Sequence, residues 1–72
     1  MKTYVTFGQS HVHKIDSRTL DKDCVAVIHA ESKEDGRKKA FELFNGKFCF
    51  EYFEDEFDKA SLKYYPKGLI EI

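Results

Sequence analysis

Two imidazoles separated by one residue, His11-Val12-His13, have the spacing that points most directly to chemistry. In an extended segment alternate residues share a side, so this pair presents two nitrogen ligands to one metal ion. Further ligands would come from Asp16, Asp21, Asp23, Cys24 or His29, and no spacing fixes any of them. The simpler expectation is a pair of loop histidines, solvated or hydrogen-bonded to backbone and carboxylates. In contact with a partner they would be pH-sensitive near their ordinary pKa. Nucleophilic catalysis needs a thiol beside a base, and the chain offers Cys24 or Cys49 with His29. His29 has the strand parity of Val25 and Val27, whereas Cys24 has that of Ala26 and Ile28, so these two face apart. Both cysteines are flanked by apolar residues within expected strands and read as small buried hydrophobes, not as a disulfide framework.

Two aromatic runs offer recognition chemistry. Glu51-Tyr52-Phe53-Glu54-Asp55-Glu56-Phe57-Asp58 carries five carboxylates in eight residues, a local patch able to meet a basic groove or imitate nucleic-acid phosphates. Lys59, Lys63 and Lys67 follow at once and confine that field, so a solvated face with inward rings is the competing reading. Lys47-Phe48-Cys49-Phe50-Glu51-Tyr52-Phe53 resembles the aromatic strand with which RNA-recognition domains stack bases. Here the glycine precedes the lysine, an acid takes an apolar position, and the expected first helix is missing. Core packing is therefore the stronger expectation, and single-stranded nucleic acid the weaker alternative.

These side chains must be positioned by a small set of elements. Ser32 is a good helix N-cap, and Asp35 is a shorter-armed version of the capping-box acid. Ala40, Phe41, Leu43 and Phe44 recur at the spacings of one helical face, opposite Lys33, Glu34, Arg37, Lys38, Lys39 and Glu42. Asn45-Gly46 supplies the stop, after which Lys47 to Tyr52 alternates with period two and places Phe48, Phe50 and Tyr52 on one side. Thr3 to Phe7 reads as a first strand closed at Gly8, and Gln9 to Lys22 as a long connecting loop, a candidate working surface. Asp23 to Ala30 is apolar almost throughout, the pattern of a strand buried on both faces. A helical turn over Phe53 to Leu62, a turn at Pro66-Lys67-Gly68 and a short strand at Leu69 to Ile72 complete the chain.

The expected fold is α+β: one domain over residues 1–72, with a mostly antiparallel sheet of three to four strands and the helices on one face. One helix shields one face only, so the other must be covered by the C-terminal segment, the long loop or a second copy of the chain. That is the argument for a homodimer or a protein partner.

Composition narrows the field. The 72 residues are 42% hydrophobic and 15% aromatic, too apolar for disorder and too few for two cores. A net charge of −1 provides no overall field toward a polyanion or polycation. No run is long and apolar enough for a signal peptide or membrane span, and the cysteine usage suits a reducing cytoplasm.

Tyr4-Val5-Thr6-Phe7-Gly8-Gln9 with His11 and His13, the strand-helix unit and Lys47-Phe48-Cys49-Phe50-Glu51-Tyr52 together resemble a family of small proteins encoded by bacteriophages and prophages. The likeness covers most of the chain. One departure stands out: Phe48-Cys49-Phe50-Glu51-Tyr52 replaces an expected Trp-Ala-Phe-Gln-Tyr strand, which puts in doubt any function needing the larger ring. The resemblance implies a bacterial host cytoplasm and, by analogy with other short phage proteins, a host or defence protein as partner. The expectation is thus a non-enzymatic, cofactor-free binding protein, such as an inhibitor of a defence nuclease of the CRISPR effector kind. Its contact residues are expected to be His11, His13, Tyr52, Glu54, Asp55, Glu56 and Asp58. The alternative is a metal- or small-ligand-binding protein using His11 and His13.

Overall fold

Strands form at β1 (Lys2–Thr6), β2 (His13–Ile15), β3 (Arg18–Leu20), β4 (Cys24–His29), β5 (Phe50–Phe53) and β6 (Gly68–Glu71) in a computed structural model describing residues 1–72. One helix, α1 (Lys33–Phe44), follows β4, and a 3₁₀ helix, Lys59–Tyr64, precedes β6. The main sheet has the order β5-β1-β4-β6, and β2 with β3 makes a separate two-stranded sheet. β1 runs antiparallel to β4 and β5, with Tyr4 opposite Val27 and Tyr52, while β6 lies parallel to β4 with Ile70 beside Ala26. The expected α+β class therefore stands, as a mixed sheet with one main helix packed against it.

Local rules explain α1. Ser32 Oγ accepts from the Asp35 N–H at 3.1 Å, and the Asp35 carboxylate reaches past the cap to the Glu31 N–H, also at 3.1 Å. Asn45 ends the helix at φ 55, its N–H on the Phe41 carbonyl, and Gly46 continues the left-handed exit at φ 72. The buried row is narrower than the periodicity suggests: Gly36, Ala40 and Phe44 are enclosed, whereas Phe41 and Leu43 are exposed. Two small residues in that row let the helix sit low on β1. A Cβ built on Gly36 would overlap Thr3 Oγ1 and lie 3.0 Å from Thr3 Cβ.

β4 is buried on both faces, as its composition requires. Cys24, Ala26 and Ile28 join Val5, Phe7 and Phe44 in the core beneath α1, and Ile70 and Ile72 close its edge. On the other face Tyr4, Val25 and Val27 are covered by Phe57, Leu62 and Tyr65, with the Phe57 ring stacked on Tyr4 at 4.7 Å. The helical elements thus lie on both sides of the sheet and not on one. The C-terminal segment seals the second face, so the geometric argument for a second copy of the chain falls away.

Two other expectations are corrected. The stretch Gln9 to Lys22 is not structureless: β2 and β3 pair through a two-residue turn with Asp16 at φ 52 and Ser17 at φ 67. Two successive left-handed residues are what such a hairpin needs, and Asp-Ser lacks the glycine that usually announces it. The strand after the helix begins at Phe50 and not at Lys47. Phe48, lying before the strand, turns to the helix side and meets Phe41 at 5.2 Å, while Phe50 and Tyr52 stay on the opposite face.

Candidate functional site

The residues singled out by sequence do not form one surface. Glu54 Oε1 accepts from the Lys2 backbone N–H at 2.7 Å, at the end of the sheet where Phe53 pairs with Thr3. His13 lies at the other end, where Thr6 pairs with Phe50. Its ring sits 5.6 Å from Phe7 and 5.0 Å from Phe44, and its Nε2–H donates to the Lys47 carbonyl at 2.7 Å. His13 therefore lids the core beneath α1, a packing role its alternation with His11 did not reveal. His11 is half-buried, and no group of three or more His, Cys, Asp or Glu side chains converges to hold a metal ion.

The acidic run is largely occupied with its own backbone. Glu56 accepts from the Phe53 N–H at 3.2 Å, Asp58 caps the 3₁₀ helix by accepting from the Ala60 N–H at 3.0 Å, and Asp55 pairs with Lys33 at 3.7 Å. All three remain exposed, as does Glu54. A depression of about 410 Å³ lies between Met1, Lys33, Glu54 and Asp55, with a single apolar side chain in its wall. Glu51, the fifth acid, is opposite Val5 on the helix side, where burial raises its carboxyl above the ordinary 4.5 and Arg37 opposes the shift.

The cysteines part company. Cys24 is buried, its Sγ 3.5 Å from the Asp21 carbonyl, and burial raises its thiol above 9.0. Cys49, expected to be enclosed, is exposed. It sits outside the ladder on Gly8, whose missing side chain leaves the room: a Cβ there would meet Cys49 Cβ and Sγ at 3.2 Å. His29 faces away from Cys24 as parity requires, and its Nε2 is 2.8 Å from Glu71 Oε1.

The arrangement with most recognition chemistry lies on the face away from α1. A cleft of about 340 Å³ is walled by Phe50, Tyr52, Tyr64 and Tyr65, with Gln9, Lys22 and Cys49 at its margin. Phe50 is 58% and Tyr64 70% exposed, large rings that the core does not use. Tyr52 stands 6.0 Å from Phe50 and leans on Phe57 at 5.8 Å, so its ring is held by the packed layer behind it. Burial raises the Tyr65 hydroxyl above 10.0, and the ionisable groups of Tyr52 and Cys49 nearby raise it further. Tyr52 is thus the one expected contact residue in this cleft. Phe50, expected in core packing, is exposed instead, and the Tyr64-Tyr65 doublet before Pro66 is the sequence feature that could have pointed to the remainder.

No helix of the chain is long and apolar enough to cross a membrane. Compared with protein-family profiles, curated proteins and solved structures, the chain has no significant match.

Proposed function

We propose that the chain is a non-enzymatic protein-binding module that docks through the aromatic cleft of Phe50, Tyr52, Tyr64 and Tyr65. The observation that carries this reading is the exposure of Phe50 and Tyr64 over a sheet face already sealed by Phe57, Leu62 and Tyr65. Large rings left outside a completed core are the anchors that protein interfaces favour. The acidic turn Glu54-Asp55-Glu56, at the far end of β5, would steer approach to a basic surface without lying in the contact. The phage-like sequence pattern supports a host or defence protein as the partner, with a defence nuclease as the specific case.

The test is a reconstituted mixture of the purified chain with defence nucleases, read by sedimentation and by cleavage of target DNA. A complex lost on Phe50→Ser or Tyr64→Ser, and associating more slowly after Glu54→Gln with Asp55→Asn, is the expected result. A complex indifferent to both ring substitutions would overturn the assignment of the surface. Absence of any complex across the nucleases tried at low salt would overturn the choice of partner class.

A further inference from the structure

The sheet has two outer strands, and their edges differ. At β5 the outward groups of Phe53 are taken up by its own turn: the N–H donates to Glu56 Oε1 at 3.2 Å, and the carbonyl accepts from the N–H groups of Glu56 at 2.9 Å and Phe57 at 3.1 Å. By alternation this leaves Glu51 as the one residue of β5 with a free outer edge. At the other end of the sheet β6 pairs only with β4. Ile72 N–H donates to the Val27 carbonyl at 3.0 Å, so Ile70 and Ile72 turn their backbone groups inward. The N–H and C=O groups of Leu69 and Glu71 therefore point outward, and no group of the chain bonds to them. No proline or lysine lies within β6 to block an approaching strand, and its one charge, Glu71, is held by His29 at 2.8 Å.

Two donors and two acceptors in a row at the end of a sheet are a template for another strand. A second copy of β6 fits them by symmetry. Laid antiparallel about a two-fold axis at Ile70, Leu69 of each copy exchanges both backbone bonds with Glu71 of the other, and every free group of both edges is satisfied. The side chains suit this register. Ile70, half-buried on the helix side, meets its counterpart at a non-hydrogen-bonded position, where side chains approach most closely. Ile72 comes opposite Gly68, where a Cβ would have nothing within 4 Å. Leu69, 41% exposed, comes opposite the aliphatic stem of Glu71. Sliding the pairing one way sets Glu71 against Glu71. Sliding it the other way sets Glu71 against Lys67, whose N–H is already on the Asp23 carbonyl at 2.8 Å.

We infer that the β6 edge joins two copies of the chain into a dimer in which the two sheets run on as one. Each copy seals its own sheet faces, so the contact is edge to edge, at the opposite end of the sheet from β5 and its cleft. It does not depend on what the cleft binds.

The experiment is sedimentation of the full chain from micromolar to millimolar concentration, with amide hydrogen exchange measured at both ends of that range. The mass is expected to double, and the amides of Leu69 and Glu71 to exchange about tenfold or more slowly in the concentrated sample. Leu69→Lys places a positive charge opposite Glu71 of the second copy, and Leu69→Glu a negative one, at two symmetric positions. The Lys variant should therefore dimerise about tenfold more tightly than the Glu variant. If either variant fails to fold, the exchange measurement on the unsubstituted chain decides. A monomer at millimolar concentration overturns the inference. So does a dimer whose Leu69 and Glu71 amides exchange freely, or one in which the two variants associate equally or in the reverse order.

Discussion

Replacing Gly36 with alanine sets two effects of known sign against each other. Alanine is favoured over glycine inside a helix by about 0.8–1 kcal/mol, so an exposed site would gain stability. At Gly36 the new methyl would overlap Thr3 Oγ1 and come within 3.0 Å of Thr3 Cβ, on a strand buried between two layers. Of the two other χ1 rotamers of Thr3, one brings Cγ2 into the same place and the other only Hβ, but Thr3 Cβ stays at 3.0 Å in both, so a rotamer change relieves the overlap only in part. Overpacking of this kind costs about 1–3 kcal/mol. The expected balance is a loss of up to roughly 2 kcal/mol, or up to about 15 °C in thermal midpoint for a domain of this size.

Thermal melts of wild type, Gly36→Ala, Thr3→Ala and the double variant close the cycle. The Thr3 hydroxyl has no hydrogen-bond partner, so its removal forfeits none, and it should reduce the cost of Gly36→Ala by about 1 kcal/mol. A Gly36→Ala midpoint above that of wild type would refute the close seating of α1 on β1, as would strictly additive effects in the cycle.

Other outcomes follow from single side chains. Iodoacetamide should alkylate Cys49 in the folded protein and reach Cys24 only after denaturation, read by peptide mass spectrometry; early labelling of Cys24 would refute its burial. The raised Glu51 carboxyl means that the folded state holds its proton to higher pH than the unfolded chain does. Stability should therefore fall as pH rises from 4.5 through the higher folded value. Glu51→Gln should remove that slope and raise the midpoint at neutral pH, with no gain below the carboxylate range. Asp35 has the opposite sign, held below 3.8 first by the Glu31 N–H and then by Lys39. Its contribution should be complete above 3.8 and lost as pH falls through the lower folded value, a loss absent in Asp35→Ala under acid titration.

By itself the sequence determined the features that depend on neighbours in the chain. The Ser32 cap, the left-handed exit at Asn45-Gly46 and the opposed parities of Cys24 and His29 are set by backbone geometry within a few residues, and all are present. The two-sided burial of β4 was equally legible, because a run of small and β-branched residues needs cover on both faces. Only the tertiary structure decided which segment supplied that cover: Phe57, Leu62 and Tyr65 lie more than twenty-five residues along the chain from Val25 and Val27. It also decided that the β2-β3 hairpin lays His13 against Phe7 and Phe44, and that Phe48 turns into the helix-side core while Cys49 stays outside, because the residues before Phe50 leave the strand and its period-two rule. The same holds for the cleft, where Gln9 and Lys22, the β5 rings and the Tyr64-Tyr65 doublet meet through long-range packing. Periodicity and capping are local properties of a chain, whereas a binding surface depends on which distant segments the core draws together.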